Sequence, residues 1–187
     1  MYQTSDFRNG LKILVDGDPY VITYFQAVNP GKGSAFTRTK MKNLITGNQL
    51  ERTFKNAEKV GKPDLEDHKM QYLYQDDTGY IFMDMDTFDQ IPIPVETLGD
   101  DKDFLIENAE VDVLFFNGRA IGLEFPNHMV FKITECEPGI KGDTAQGATK
   151  PATLETGMVV TVPLFVNQDE SIRVDTRTRA YMERVKV

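Results

Sequence analysis

The residue in this chain best placed to do chemistry is a lysine. Lys32 lies within Asn29-Pro30-Gly31-Lys32-Gly33-Ser34, between the strand-like runs Val21–Val28 and Ala35–Leu44. Pro30 fixes its own φ and drives Asn29 toward an extended conformation, while Gly31 and Gly33 permit positive φ and leave no Cβ to block an approaching backbone. The amine is therefore presented at a hairpin tip with nothing bulky beside it. Nucleophilic use of the lysine as a Schiff base would need an apolar pocket to depress its pKa, and a glycine-flanked tip offers none.

The strand after the tip supplies the context. With the period of two that strands impose, Phe36, Arg38, Lys40 and Lys42 share one face and Ala35, Thr37, Thr39 and Met41 share the other. Three like charges on one side of a strand repel one another, and a phosphate backbone reverses the sign of that energy. Taken singly, a Pro-Gly turn and a lysine-protected edge strand also describe an ordinary solvated hairpin. Together they point to RNA.

Other chemistries fail on spacing. Gly31-Lys32-Gly33-Ser34 resembles the end of a phosphate-binding loop, but Gly33 stands where that motif needs Ser or Thr, and Gln26 where it needs its first glycine. Asp84-Met85-Asp86 and Asp89 lack the glycine that a calcium loop places at its sixth position. His68 and His128 show no ligand-like spacing, no serine sits in a nucleophile elbow, and Cys136 reads as a core thiol. No catalytic residue, metal site or cofactor is expected.

The net charge of −8 over 187 residues argues against a nucleic-acid binder until its distribution is examined. Residues 1–64 carry a net +4, residues 65–127 a net −12, and residues 128–187 are balanced. The anion-binding potential is thus concentrated in the first third. A single cysteine excludes an intramolecular disulfide, and neither a signal-like start nor an apolar run of bilayer length is present, so a cytoplasmic protein without membrane contact is expected.

Strand and turn signals recur too often for one large core, and the expectation is all-β with three modules. Residues 1–64 read as short strands joined by tight turns, an SH3-like barrel, with Gly61-Lys62-Pro63-Asp64 as linker. Residues 65–127 open on a half-buried strand with alternating Met70, Tyr72 and Tyr74, contain a short helix from Asp100 through Glu110, and close on a hairpin at Asn117-Gly118, which suits an OB-like barrel. Residues 128–187 read as a second OB-like barrel. Its Pro163 predicts an edge or bulged strand, and the turn-rich stretch from Pro138 to Pro151 is long enough for a binding loop.

These residues amount to a resemblance covering essentially the whole chain. Asp6-Phe7-Arg8-Asn9-Gly10-Leu11-Lys12, Pro30–Phe36, Tyr72-Leu73-Tyr74, Pro138–Thr144, Lys150–Gly157, Val174–Thr178 and Tyr181 resemble the bacterial elongation factor P family. The resemblance implies an SH3-like (KOW-type) barrel followed by two OB-fold barrels in an L-shaped molecule that mimics tRNA. It implies a translation elongation factor that binds the 70S ribosome beside the peptidyl-tRNA, contacts ribosomal RNA, and promotes peptide-bond formation at consecutive prolines. Lys32, framed by Pro30, Gly31 and Gly33, would reach the CCA end, and in relatives a modifying enzyme often lengthens this lysine.

RNA contacts are expected from Arg38, Lys40 and Lys42, and from Gly142, Asp143 and Thr144, which match a loop that in relatives lies near the exit-site codon. Two places depart from the family: Asn29 stands where many relatives have lysine, and Arg179-Ala180 where a glycine-containing turn is common. The competing reading, a general single-stranded nucleic-acid-binding OB protein, needs a basic groove with interleaved aromatics, against which the net −12 of the middle third argues.

Overall fold

The structure is a computed structural model that describes residues 1–139 and 148–186. It is mostly β, as the turn and alternation signals predict. The chain divides into two compact units, residues 1–67 with 114–122, and residues 68–113 with 123–187.

In the first unit, β1 (Tyr2–Gln3), β2 (Lys12–Val15), β3 (Asp18–Val28), β4 (Phe36–Asn43), β5 (Gln49–Lys55) and β6 (Lys59–Val60) form the first module. Four strands make an antiparallel sheet in the order β2-β3-β4-β5, and β1 pairs with β6. Leu14 N–H donates to the Gly61 carbonyl at 2.9 Å, which brings the end of the module back onto β2 and closes the barrel. The core holds Phe7, Leu11, Ile13, Val15, Ile22, Met41, Phe54 and Val60, with Phe7 and Phe54 in edge-to-face contact at 5.3 Å. Removing each such side chain from water stabilises the fold by roughly 1.5–3 kcal/mol.

One bulge sets the geometry of this sheet. Ile22 pairs with Met41 and Tyr24 with Lys40, so Thr23 is the extra residue, its hydroxyl donating to the Lys40 carbonyl at 3.1 Å. An inserted residue reverses the facing of everything beyond it. Ile22 points into the core, while Tyr24 turns out to solvent.

The remaining strands are β7 (Leu65–Asp76), β8 (Gly79–Asp84), β9 (Gln90–Ile93), β10 (Glu110–Phe116) and β11 (Arg119–Glu124), in sheet order β11-β10-β7-β8-β9, and β12 (His128–Cys136), β13 (Thr149–Leu154), β14 (Val159–Pro163), β15 (Ser171–Asp175) and β16 (Ala180–Val185), in order β14-β13-β12-β15-β16. In the last sheet the terminal strands β14 and β16 approach each other, which curls it toward a barrel. Pro163 ends the edge strand β14, where a missing N–H disrupts no ladder, as its position in the sequence predicts.

Three expectations are corrected. The helix predicted from Asp100 to Glu110 is instead a single turn, α1 (Val95–Leu98), continued by a 3-10 segment over Gly99–Phe104, and Glu110 already belongs to β10. Phe104 is buried against Phe125 and Phe131, from outside the segment, and the segment follows that contact instead of a regular α-helical path. The alternation Met70, Tyr72, Tyr74 fails at its last member, because a bulge at Leu73 turns Tyr74 outward, 51% exposed, while Tyr72 is buried. Finally, the strand Thr149–Leu154 begins within the end of the stretch from Pro138 to Pro151 that reads as turn-rich.

Candidate nucleic-acid interface

The tip hairpin joins β3 to β4, with Val28 opposite Phe36 as the last pair. Residues 29–34 are exposed, Lys32 among them. Of the two flanking glycines only Gly33 takes a positive φ, at +108°, and a side chain added there would meet nothing closer than Pro30 Cγ at 3.8 Å. The backbone conformation, not crowding, therefore requires glycine at 33. Among the described residues no ion pair or side-chain hydrogen bond engages Lys32. Pro30, Gly31 and Gly33 thus frame an amine that is free to meet another molecule.

The basic strand face has the alternation read from the sequence. In β4, Thr37, Thr39, Met41 and Asn43 are buried, whereas Arg38, Lys40 and Lys42 are exposed. None of the three basic side chains is in an ion pair among the described residues. Two lean on rings: Arg38 Cζ lies 5.7 Å from the Phe36 centroid, and Lys40 Nζ lies 5.8 Å from that of Tyr24. The rings hold the cations near the sheet while leaving their donors outward.

Cross-strand register adds residues that sequence reasoning missed. Lys55 stands opposite Phe36, Thr53 opposite Arg38, Glu51 opposite Lys40 and Gln49 opposite Lys42. On the other side, Gln26 stands opposite Arg38 and Tyr24 opposite Lys40. Four cations therefore face one carboxylate, Glu51, on a surface that also carries Tyr24 and Phe36. Only the β5 register could have revealed Lys55, and only the Thr23 bulge could have revealed Tyr24.

Gly142, Asp143 and Thr144 lie outside the described residues. The chain on either side of that stretch is anchored. Lys150, buried in β13, donates from Nζ to the Glu137 carbonyl at 2.6 Å. A side chain at Gly139 would come within 2.6 Å of the Leu164 carbonyl oxygen. Cys136, the expected core thiol, is half-buried and packs against the apolar cluster of that module.

A barrel that presents an unpaired amine beside a basic, ring-supported face, followed by two further β modules, matches known sequences along its length. Residues 3–60 match the "Elongation factor P (EF-P) KOW-like domain", residues 65–123 the "Elongation factor P (EF-P) OB domain", and residues 129–184 "Elongation factor P, C-terminal". The elongation factor P of Bdellovibrio bacteriovorus is 52% identical over 185 residues, covering 99% of this chain and 98% of that one. That of Moorella thermoacetica is 52% identical over 184 residues, covering 98% of this chain and all of its own. Among solved structures, eukaryotic translation initiation factor 5A from Methanococcus jannaschii aligns with a TM-score of 0.52 at 24% identity, over 64% of this chain and 88% of its own, a likeness of fold.

By class the chain is a translation elongation factor. It belongs to the elongation factor P family. Among the described residues no helix is long and apolar enough to cross a membrane.

Proposed function

We propose that this factor binds the 70S ribosome beside the peptidyl-tRNA and promotes peptide-bond formation at consecutive prolines, with Lys32 restraining the CCA end. The observation that carries the reading is the free amine of Lys32 on a glycine-framed tip, continuous in one hairpin with Arg38, Lys40 and Lys42. The proline ring constrains the backbone and makes its amine hard to position, so the stalled step lacks orientation rather than a chemical group. A lysine that holds one reactant lowers the entropic cost of reaching a reactive geometry, and ribosomal RNA remains the catalyst. The factor performs no chemistry of its own and needs no cofactor.

In this reading the basic face grips the RNA backbone. Gly142, Asp143 and Thr144 anchor the far module near the exit-site codon, and the three modules 1–64, 65–127 and 128–187 together mimic a tRNA in the cytoplasm. A lysine-modifying enzyme that lengthened the Lys32 side chain would add reach and donors. Single-stranded nucleic-acid binding by the OB modules is disfavoured by the net −12 of residues 65–127.

The test is a reconstituted translation assay on a polyproline message. Lys32→Ala should abolish rescue while changing stability by no more than about 0.5 kcal/mol, as for other exposed turn residues. Full rescue by that variant would overturn the reading. The mass of the Lys32 peptide from native material decides whether the amine is extended.

A further inference from the structure

The turn between β15 and β16 contains an arginine in an unfavourable backbone conformation. Arg179 has φ +60°, in the left-handed region that residues with a side chain other than Asn or Asp rarely occupy. The turn itself is well tied. Arg179 N–H donates to the Asp175 carbonyl at 2.8 Å, and the Asp175 carboxylate accepts from the backbone N–H groups of Arg177 and Thr178 at 2.8 and 3.3 Å. Nothing in these bonds calls for an arginine, since the turn's backbone would accept glycine with less strain.

What calls for it lies on the other module. The Arg179 guanidinium donates to the Asp100 carbonyl at 2.7 Å and to Asp103 Oδ2 at 3.2 Å, and its Cζ sits 4.9 Å from the Phe104 ring centroid. All three partners belong to the 3-10 segment Gly99–Phe104, in the same compact unit as the hairpin. Phe104 is 2% exposed and packs with Phe125 and Phe131 inside the third module's own apolar cluster. The segment is thus plugged into the third module by a ring and covered by a cation stacked on that ring. Burial pushes the Asp101 carboxyl up, and the nearby guanidinium offsets part of that rise, as expected for a cation set into a half-buried acidic turn. Strained conformations persist where surrounding contacts over-determine them, and here three separate contacts do so.

We infer that Arg179 is a positioning residue that locks the 3-10 segment Gly99–Phe104 of the second module onto the β15–β16 hairpin of the third, so that these modules turn as one body. Its use rests on the proposed function: a factor held at separate points on the ribosome binds more tightly when the parts between them are already ordered.

The test uses the full chain with Arg179→Gly and Arg179→Lys. Glycine relieves the left-handed backbone and keeps the turn, so a defect in that variant cannot be blamed on a misfolded hairpin. Backbone 15N relaxation should give β7–β9 and β12–β16 one rotational correlation time in the parent and two in Arg179→Gly, with Arg179→Lys between them because it keeps the charge and loses the planar stack. In polyproline rescue, Arg179→Gly should raise the half-saturating factor concentration about 3- to 10-fold with the maximal rate unchanged, and Arg179→Lys should recover part of it.

Identical tumbling of parent and Arg179→Gly would overturn the lock. Separate tumbling with unchanged half-saturation would overturn its role in binding and leave the lock standing. If Lys32→Ala rescued fully while the tumbling still separated, the proposed function would fail and the lock would survive.

Discussion

Replacing Arg38, Lys40 and Lys42 together with glutamine tests whether the outer face of β4 meets RNA, and the structure sets the size of the effect. The three side chains are exposed, on one face and, among the described residues, in no ion pair. If each neutralises one phosphate, removing them makes the slope of log K against log salt shallower by about 2 to 3, at roughly 0.7 to 0.9 per contact. Raising the salt from about 50 to about 200 mM should then cost the parent about 20- to 40-fold more affinity than it costs the variant. The fold should tolerate the change. It loses two exposed cation–π contacts, Arg38 on Phe36 and Lys40 on Tyr24, of about 0.5–1 kcal/mol each. It also loses one cross-strand pair, Lys40 opposite Glu51, of roughly 0.2–1 kcal/mol. The assay is equilibrium binding of labelled factor to ribosomes at several salt concentrations, with thermal unfolding as a control. An unchanged slope in a folded triple variant would refute the reasoning and show that this face points away from RNA.

Gly79→Ala should cost at least about 2–4 kcal/mol by denaturant unfolding: φ there is +135°, and an added Cβ would stand 2.5 Å from the Ile93 carbonyl oxygen, a backbone atom that cannot yield without shifting β9. A parent-like midpoint would show that the packing of the β7–β8 turn against the end of β9 is loose. The acid limb of stability should reflect Asp84, held low by the backbone N–H groups of Asp86 and Thr87, and Asp175, held low by Arg177. A depressed folded-state pKa contributes stability above the unfolded value near 4 and loses it as pH falls through the folded value. Unfolding followed below about pH 4 should therefore be less steep in Asp175→Asn than in the parent, and equal slopes would remove Asp175 from this account.

What was legible in the sequence follows from which forces are local. Lys32 at an exposed tip and the alternation of β4 are local properties: Pro30 and the glycines announce the turn, and β4 carries no extra residue to break its period of two. Tyr24 was invisible because one extra residue at Thr23 reverses the facing of the strand, and Lys55 because cross-strand register is not written in either strand alone. The helix expected from Asp100 does not form as a local element, because Phe104 is claimed by a core that lies later in the chain. Lys150-Pro151 looked like loop, and the pairing of β13 with β14 overrode that local preference.

Phe104 also imposes an order on the making of this protein. The ring precedes in the chain Phe131, on which it packs, and the rest of its buried cluster, among them Ile133, Ile172 and Val174. A nascent chain that has emerged only as far as Pro126 has the strands β7 to β11 available to pair, yet its Phe104 ring lacks Phe131 and the other later members of its cluster. Exposed apolar surface of this kind is where incomplete chains associate wrongly. The stretch of gene that encodes Phe104 is therefore not an interchangeable cassette. Moved without its successor, it would yield a module with its plug and no socket, so the two segments are expected to be inherited, swapped and engineered as a pair.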